Sequence, residues 1–293
     1  MKVKINKGVA KGYVDAPPSK SMAHRMLICA GLSDGTCTVK GIAESKDILA
    51  TMDCLVALGV KCQKQGENTI ITGIDATKTV PSDVLGCRES GSTLRFFIPI
   101  CLVSGNEATL TGSERLLERP LGIYEDICKE KGMDFCQADN KVTVKGPLKP
   151  GTYKMAGNVS SQFVSGLLFV LPLLDDDSRL EITPPVESRS YIDMTIFALD
   201  AFGVKVYWEG ENIIYIPGRQ KYHAEEVRVE GDYSNAAFLE ALNTLGGRVE
   251  VGNLDENSIQ GDRVYLEMFD KLKSGRPTLN ISDCPDLGPI LFA

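Results

Sequence analysis

The sequence predicts an α/β protein built from repeated βαβαββ units, with the helices buried and the sheets outside. Helical apolar patterns alternate with short β-branched runs along the 293 residues, which is the pattern of a layered α/β chain. A glycine also closes a helix and opens a hairpin three times, at Leu58-Gly59-Val60, Lys131-Gly132-Met133 and Phe202-Gly203-Val204. Those glycines stand 73 and 71 residues apart, and so regular a spacing marks duplicated supersecondary units.

In chain order, residues 3–14 read as an edge element ended by Pro17-Pro18. Ser19 then stands where a helix N-cap belongs, and Met22, Met26, Leu27 and Ala30 follow at helical spacing. Thr36–Val39 reads as a strand, Asp47–Leu58 as a second helix, and Val60–Gln63 with Thr69–Thr72 as a hairpin. The order restarts at Ser90, with a helix through Phe96–Val103, a strand Ala108–Thr111, a helix near Leu121–Glu130 and a hairpin closing at Gly146. It restarts again at Ser160 and closes at Gly218. A fourth copy has a helix Asn235–Leu245 and a strand Val249–Val251, then a compressed half ending in Pro277–Ile281. Cys284-Pro285-Asp286 opens a further helix start. The apolar run Ile290-Leu291-Phe292 before Ala293 is expected to be the start of a helix that continues, which makes the chain a C-terminally truncated one.

Composition narrows the function classes. A content of 43% hydrophobic and 24% charged residues is that of a globular protein. The apolar stretch Phe163 to Leu174 is too short for a membrane span and is broken by Ser165, Gly166 and Pro172. No cationic segment followed by an apolar core opens the sequence, so no secretory signal is expected. A net charge of −7 argues against nucleic-acid binding, although local clusters of Lys and Arg still set the potential of a small-anion site. Nine scattered cysteines and two histidines, with no C-x-x-C pair, speak against zinc and for a reduced, cytoplasmic protein.

The polar residues gather at the helix starts. The first has Ser19-Lys20-Ser21 with Arg25, the second Ser90-Gly91-Ser92-Thr93 with Arg95, the third Ser160-Ser161-Gln162, and the fourth Tyr233-Ser234-Asn235. Backbone N–H groups, hydroxyls and cations at one helix start suit an anion, but the same residues also suit an ordinary capped helix with solvated cations. Ser234 reads as a plain cap, whereas Gly91 lets a ligand approach the backbone. In the loop Glu114-Arg115-Leu116-Leu117-Glu118-Arg119-Pro120, Arg115 reads as a surface ion pair and Arg119 as an anion clamp. Arg189 reads as solvated, and His24 and His223 as incidental.

These residues resemble the enolpyruvyl transferases, and within them the branch acting on shikimate 3-phosphate. The resemblance runs from the first strand to Ala293. It rests on Ser19-Lys20-Ser21 with Arg25, Glu118-Arg119-Pro120, Asn158-Val159-Ser160-Ser161-Gln162-Phe163, Ser188 with Tyr191, and Asp286 in Cys284-Pro285-Asp286. It implies an inside-out α/β barrel, with one domain over 18–230 and an incomplete second one from 1–17 and 231–293, closing around the substrates. It implies transfer of the carboxyvinyl group of phosphoenolpyruvate to the 5-hydroxyl of shikimate 3-phosphate by a monomer with no metal or organic cofactor. By resemblance, Lys20, Ser21, Arg25, Ser160, Ser161, Gln162, Ser188, Tyr191 and Asp286 hold shikimate 3-phosphate. Lys20, Gly91, Arg119 and Gln162 hold phosphoenolpyruvate. Asp286 accepts the proton, and Lys20, which touches both substrates, is the other catalytic residue.

The chain departs from the family in two ways. Where the family often has Asn-Ala-Gly-Thr followed by Met-Arg-Pro, this chain has Glu89-Ser90-Gly91-Ser92, with Phe96 after Arg95. The family's later lysine and arginine ligands fall beyond Ala293, so the polypeptide alone is expected to bind weakly and turn over little or not at all. The alternatives are the enolpyruvyl transferase acting on UDP-N-acetylglucosamine, and a noncatalytic ligand-binding fragment. The first expects Lys-Asn where this chain has Lys20-Ser21, and a cysteine before Arg119 that this chain lacks.

Overall fold

The computed structural model describes residue 4 and residues 8–293. The edge element expected over 3–14 lies partly outside the described residues, and its described part is strand β1 (Lys11–Asp15). The chain divides into two compact units. The larger is Lys20–Val229, and the smaller joins 8–19 to Glu230–Ala293.

The larger unit opens with α1 (Lys20–Gly31), β2 (Thr36–Lys40), α2 (Lys46–Ala57) and the hairpin β3 (Lys61–Gln65) and β4 (Asn68–Thr72). The second repeat is β5 (Leu85–Gly86), α3 (Gly91–Leu102), β6 (Glu107–Thr111), a one-turn α4 (Glu114–Leu117), α5 (Gly122–Lys131), β7 (Asp134–Ala138) and β8 (Lys141–Lys145). The third is β9 (Thr152–Ala156), α6 (Gln162–Leu168), β10 (Ser178–Thr183), α7 (Arg189–Ala201), β11 (Tyr207–Glu209) and β12 (Ile213–Ile216), followed by β13 (Glu226–Arg228). The glycines that defined the repeat, Gly59, Gly132 and Gly203, have φ of +98°, +71° and +76°. That left-handed turn ends each helix at little cost only when no Cβ is present.

The three sheets share one strand order, β13-β2-β4-β3, β5-β6-β8-β7 and β9-β10-β12-β11. In each, a leading strand runs parallel to the central strand and the hairpin pairs antiparallel to it. The leading strand of the first sheet comes from the far end of the unit, where β13 sets Val227 opposite Val39. The chain thus closes the unit on itself.

Alternation along the strands turns Cys37, Val39, Ile71, Leu110, Val142, Val144, Leu180, Ile182, Ile214 and Ile216 inward. Ten of the twelve residues of α1 and ten of the twelve of α3 are buried. Helices buried on almost every side belong in the middle of a fold. This is the inside-out α/β arrangement.

The smaller unit pairs β1 in parallel with β14 (Arg248–Gly252) and packs α8 (Tyr233–Thr244) and α9 (Tyr265–Lys273) around Ala236, Ala237, Met268, Phe269 and Leu287. A short α10 (Gly288–Phe292) follows a 3-10 turn over Pro285–Leu287. The cap of α8 differs from expectation. Asp232, not Ser234, accepts the amide of Asn235 at 2.8 Å, because the helix begins two residues earlier, at Tyr233. Residues 277–281 form neither helix nor strand.

Asp262 is 6% exposed, and its Oδ1 has no hydrogen-bond partner. Burial first, and then the nearby Asp286, Asp232 and Asp283, push its carboxyl up to about 7. The folded state therefore holds this proton more tightly than the unfolded chain does. Stability falls as pH rises from about 4 to about 7 and stays lower above that. Asp262→Asn should accordingly stabilise the protein by on the order of 2–4 kcal/mol at pH 8 and by little at pH 4. Urea denaturation at the two pH values measures this, and equal effects at both would show that Asp262 is ionised throughout.

Candidate active site

The first two turns of the larger unit's central helices are tied into a ring by polar contacts. Lys20 at the start of α1 meets Asp47 at the start of α2, Nζ to Oδ2 3.1 Å. Thr51 of α2 meets Thr93 of α3 at 2.8 Å. On α3, Arg95 donates to Gln162 Oε1 of α6 at 2.7 Å, and Gln162 Nε2 donates to Ser92 Oγ at 2.8 Å. Ser165 of α6 meets Thr195 of α7 at 2.7 Å, and Arg25 Nε returns to α1 by donating to Thr195 Oγ1 at 2.8 Å. The helix N-termini therefore converge at one end of the unit, and their dipoles favour an anion there.

Each sequence-predicted residue can now be placed. Lys20 is half-exposed. Arg25 is buried, donating also to Ser21 O at 2.7 Å and Tyr191 O at 2.8 Å, with its guanidinium 5.5 Å from the Phe96 ring centroid. Burial lowers its pKa to about 10. The structure thus uses Arg25 to brace α1 against α7, and so to place Ser21 and Tyr191. Gly91 opens α3 beneath two guanidiniums: a Cβ there would sit 2.7 Å from Arg119 Nη1 and 3.4 Å from Arg95 Nη1. Ser90, just before it, caps α3 by accepting the Thr93 amide at 3.2 Å. Ser160 is exposed and Ser161 buried at the start of α6, and the Ser160 hydroxyl accepts the Gln162 amide at 3.4 Å. Ser188 holds φ of +53° immediately before α7, where Tyr191 occupies the first turn. Asp286 belongs to the smaller unit, in the 3-10 turn after Cys284.

A pocket of about 440 Å³ opens beside these starts, lined by Arg95, Pro120, Ser160 and Phe163 among others. Another of the same volume lies at the opposite end of α1, around Ser33, Asp34 and Tyr222, and touches none of the predicted site residues.

Two readings of the sequence need correction. Arg189 is not merely solvated. Its guanidinium stacks 4.0 Å from the Trp208 ring centroid and donates to Glu211 O at 3.0 Å, because β11 passes under the start of α7. Nor is His24 incidental: it is 1% exposed and its Nδ1 lies 2.7 Å from Thr51 Oγ1. Sequence reasoning also missed Asp47 as the partner of Lys20. The available signal was an acid in the first turn after the Ser45 cap. Arg95 belongs with the site residues as well, and its spacing of four from Gly91 placed it on the same helix face.

Comparisons with known proteins bear on what this geometry serves. The family model described as EPSP synthase (3-phosphoshikimate 1-carboxyvinyltransferase) matches residues 5–281. A 3-phosphoshikimate 1-carboxyvinyltransferase of Clostridium novyi (strain NT) is 38% identical over 99% of this chain and 72% of its own length. The enzyme of that name from Clostridium kluyveri is 40% identical with the same coverage. A solved EPSP synthase from Acinetobacter baumannii superposes with a TM-score of 0.76 at 23% identity, over 90% of this chain and 60% of that one. The last similarity is one of fold.

Proposed function

The chain belongs to the EPSP synthase family, and on that premise we propose that its convergent helix starts bind phosphoenolpyruvate and shikimate 3-phosphate for carboxyvinyl transfer. In that reaction the 5-hydroxyl oxygen bonds to C2 of phosphoenolpyruvate while C3 takes up a proton. Loss of a methyl proton and of phosphate then restores the double bond. One group must remove a proton and another must supply one, while anionic oxygens are held throughout. Asp286 is the proton acceptor and Lys20 the cation shared by both substrates. Arg119, Gln162 and the backbone at Gly91 hold phosphoenolpyruvate. Ser21, Ser160, Ser161, Gln162, Ser188 and Tyr191 surround shikimate 3-phosphate, and Arg25 acts from behind by bracing Ser21 and Tyr191.

The observation that carries this reading is Gly91, open at a helix N-terminus beneath Arg95 and Arg119. Two like charges there call for an anion between them, and burial together with the Arg119 charge lowers the pKa of Arg95. Nine free thiols suit a reducing compartment such as the cytoplasm. The names of the relatives do not support the UDP-N-acetylglucosamine alternative.

Calorimetry tests the reading. Both ligands should bind the wild-type chain. Gly91→Ala, by forcing Arg119 aside, should weaken phosphoenolpyruvate about tenfold and shikimate 3-phosphate little. Failure of the wild type to bind either ligand at millimolar concentration would remove this function.

A further inference from the structure

Buried hydroxyls tie the helix starts together in a definite direction. Thr93 Oγ1 donates to Ser90 Oγ at 2.7 Å. A hydroxyl has one proton, so Thr93 must accept from Thr51 across their 2.8 Å contact. Thr51 has then spent its own proton, so it must accept from His24 Nδ1 at 2.7 Å. The chain of donors runs from His24 on α1, through Thr51 on α2 and Thr93 on α3, to Ser90. Ser90 Oγ already accepts both Thr93 Oγ1 and the Thr93 amide, the latter at 3.2 Å. What Ser90 has left to offer is its own proton, one residue before Gly91.

From this chain we infer that His24 is a positioning residue for the anion subsite at the start of α3, acting through Thr51 and Thr93 to keep Ser90 a hydrogen-bond donor. The network assigns the proton to Nδ1. Nε2 is buried and has no hydrogen-bond partner, which suits its role as the bare nitrogen of a neutral ring. Burial, and then the charges of Arg25 and Lys20, oppose the imidazolium more than Asp47 favours it, and hold the pKa near 3. Phe96 meets the ring edge-on at 6.4 Å and leaves it no polar alternative on that side. With the other tautomer, Nδ1 would take the Thr51 proton, Thr93 would lose its donor, and the cap of α3 would be free to reorient. The inference rests on the reading of Gly91 as part of the phosphoenolpyruvate site.

Two measurements test it on the whole chain. Imidazole 15N spectra, assigned with His223→Gln, should show Nδ1 protonated and Nε2 bare, unchanged between about pH 5 and 8. A proton on Nε2 would overturn the inference. By calorimetry, Thr51→Val and His24→Leu should each weaken phosphoenolpyruvate about fivefold, the value of one neutral hydrogen bond. Shikimate 3-phosphate should change less than twofold, and His24→Asn, whose amide N–H replaces Nδ1–H, should restore phosphoenolpyruvate binding. A purely structural role would weaken both ligands alike or neither, and that outcome overturns the inference while leaving the proposed function in place. A wild type that binds neither ligand overturns both.

Discussion

Lys20→Met should weaken both phosphoenolpyruvate and shikimate 3-phosphate by at least about tenfold and leave the fold intact. Lys20 is the first residue of α1, where the helix dipole already favours negative charge. Its ammonium adds a full positive charge at that end of α1, beside the carboxylate of Asp47. The pair with Asp47 is more than half exposed on the lysine side, and such a pair is worth no more than about 1 kcal/mol. Methionine keeps the length and apolar stem of the side chain, so the melting temperature should move by only a few degrees. Because Lys20 is proposed to touch both anions, calorimetry should show both ligands weakened, unlike Gly91→Ala, which should affect one. Near-wild-type affinity for both ligands in Lys20→Met would exclude Lys20 from the site.

Much of this was legible in the sequence because its signals are local. A glycine forced into φ > 0 at the end of each second helix announced the repeat. Hydroxyl, glycine and basic residues announced the helix starts. Long-range pairings were not legible. The leading strand β5 has two residues and no periodicity, and the leading strand of the first sheet comes from the opposite end of the unit. Arg189 looked solvated because its stacking partner, Trp208, lies on a different element. His24 looked incidental because its hydrogen bond goes to another helix. There was nonetheless a sign: Thr51 and Thr93 interrupt otherwise apolar helix faces, and a buried hydroxyl must find a partner.

The approach of α3 to α6, which holds Gln162 against Arg95 and Ser92, depends on a proline and a glycine together. Pro99 lies inside α3 and has no N–H, so the carbonyl of Arg95, four residues earlier, loses its helical donor. The hydroxyl of the fully buried Tyr124 supplies one instead, 2.7 Å from Arg95 O. Gly166 of α6 makes room for that exchange: a Cβ there would lie 2.7 Å from Arg95 O and closer still to the Tyr124 hydroxyl. Neither obstacle is the end of a flexible exposed side chain, so the helices themselves must part. Gly166→Ala should therefore destabilise the protein by about 2–4 kcal/mol, despite the higher helix propensity of alanine. Tyr124→Phe, which only orphans the carbonyl, should cost about 1–2 kcal/mol. Both costs are read from denaturant midpoints at constant slope. Parting α3 from α6 also pulls Gln162 away from Arg95, so Gly166→Ala should lose phosphoenolpyruvate affinity beyond what Tyr124→Phe loses. If the two variants were equally stable, packing at Gly166 would not be what sets the spacing of these helices.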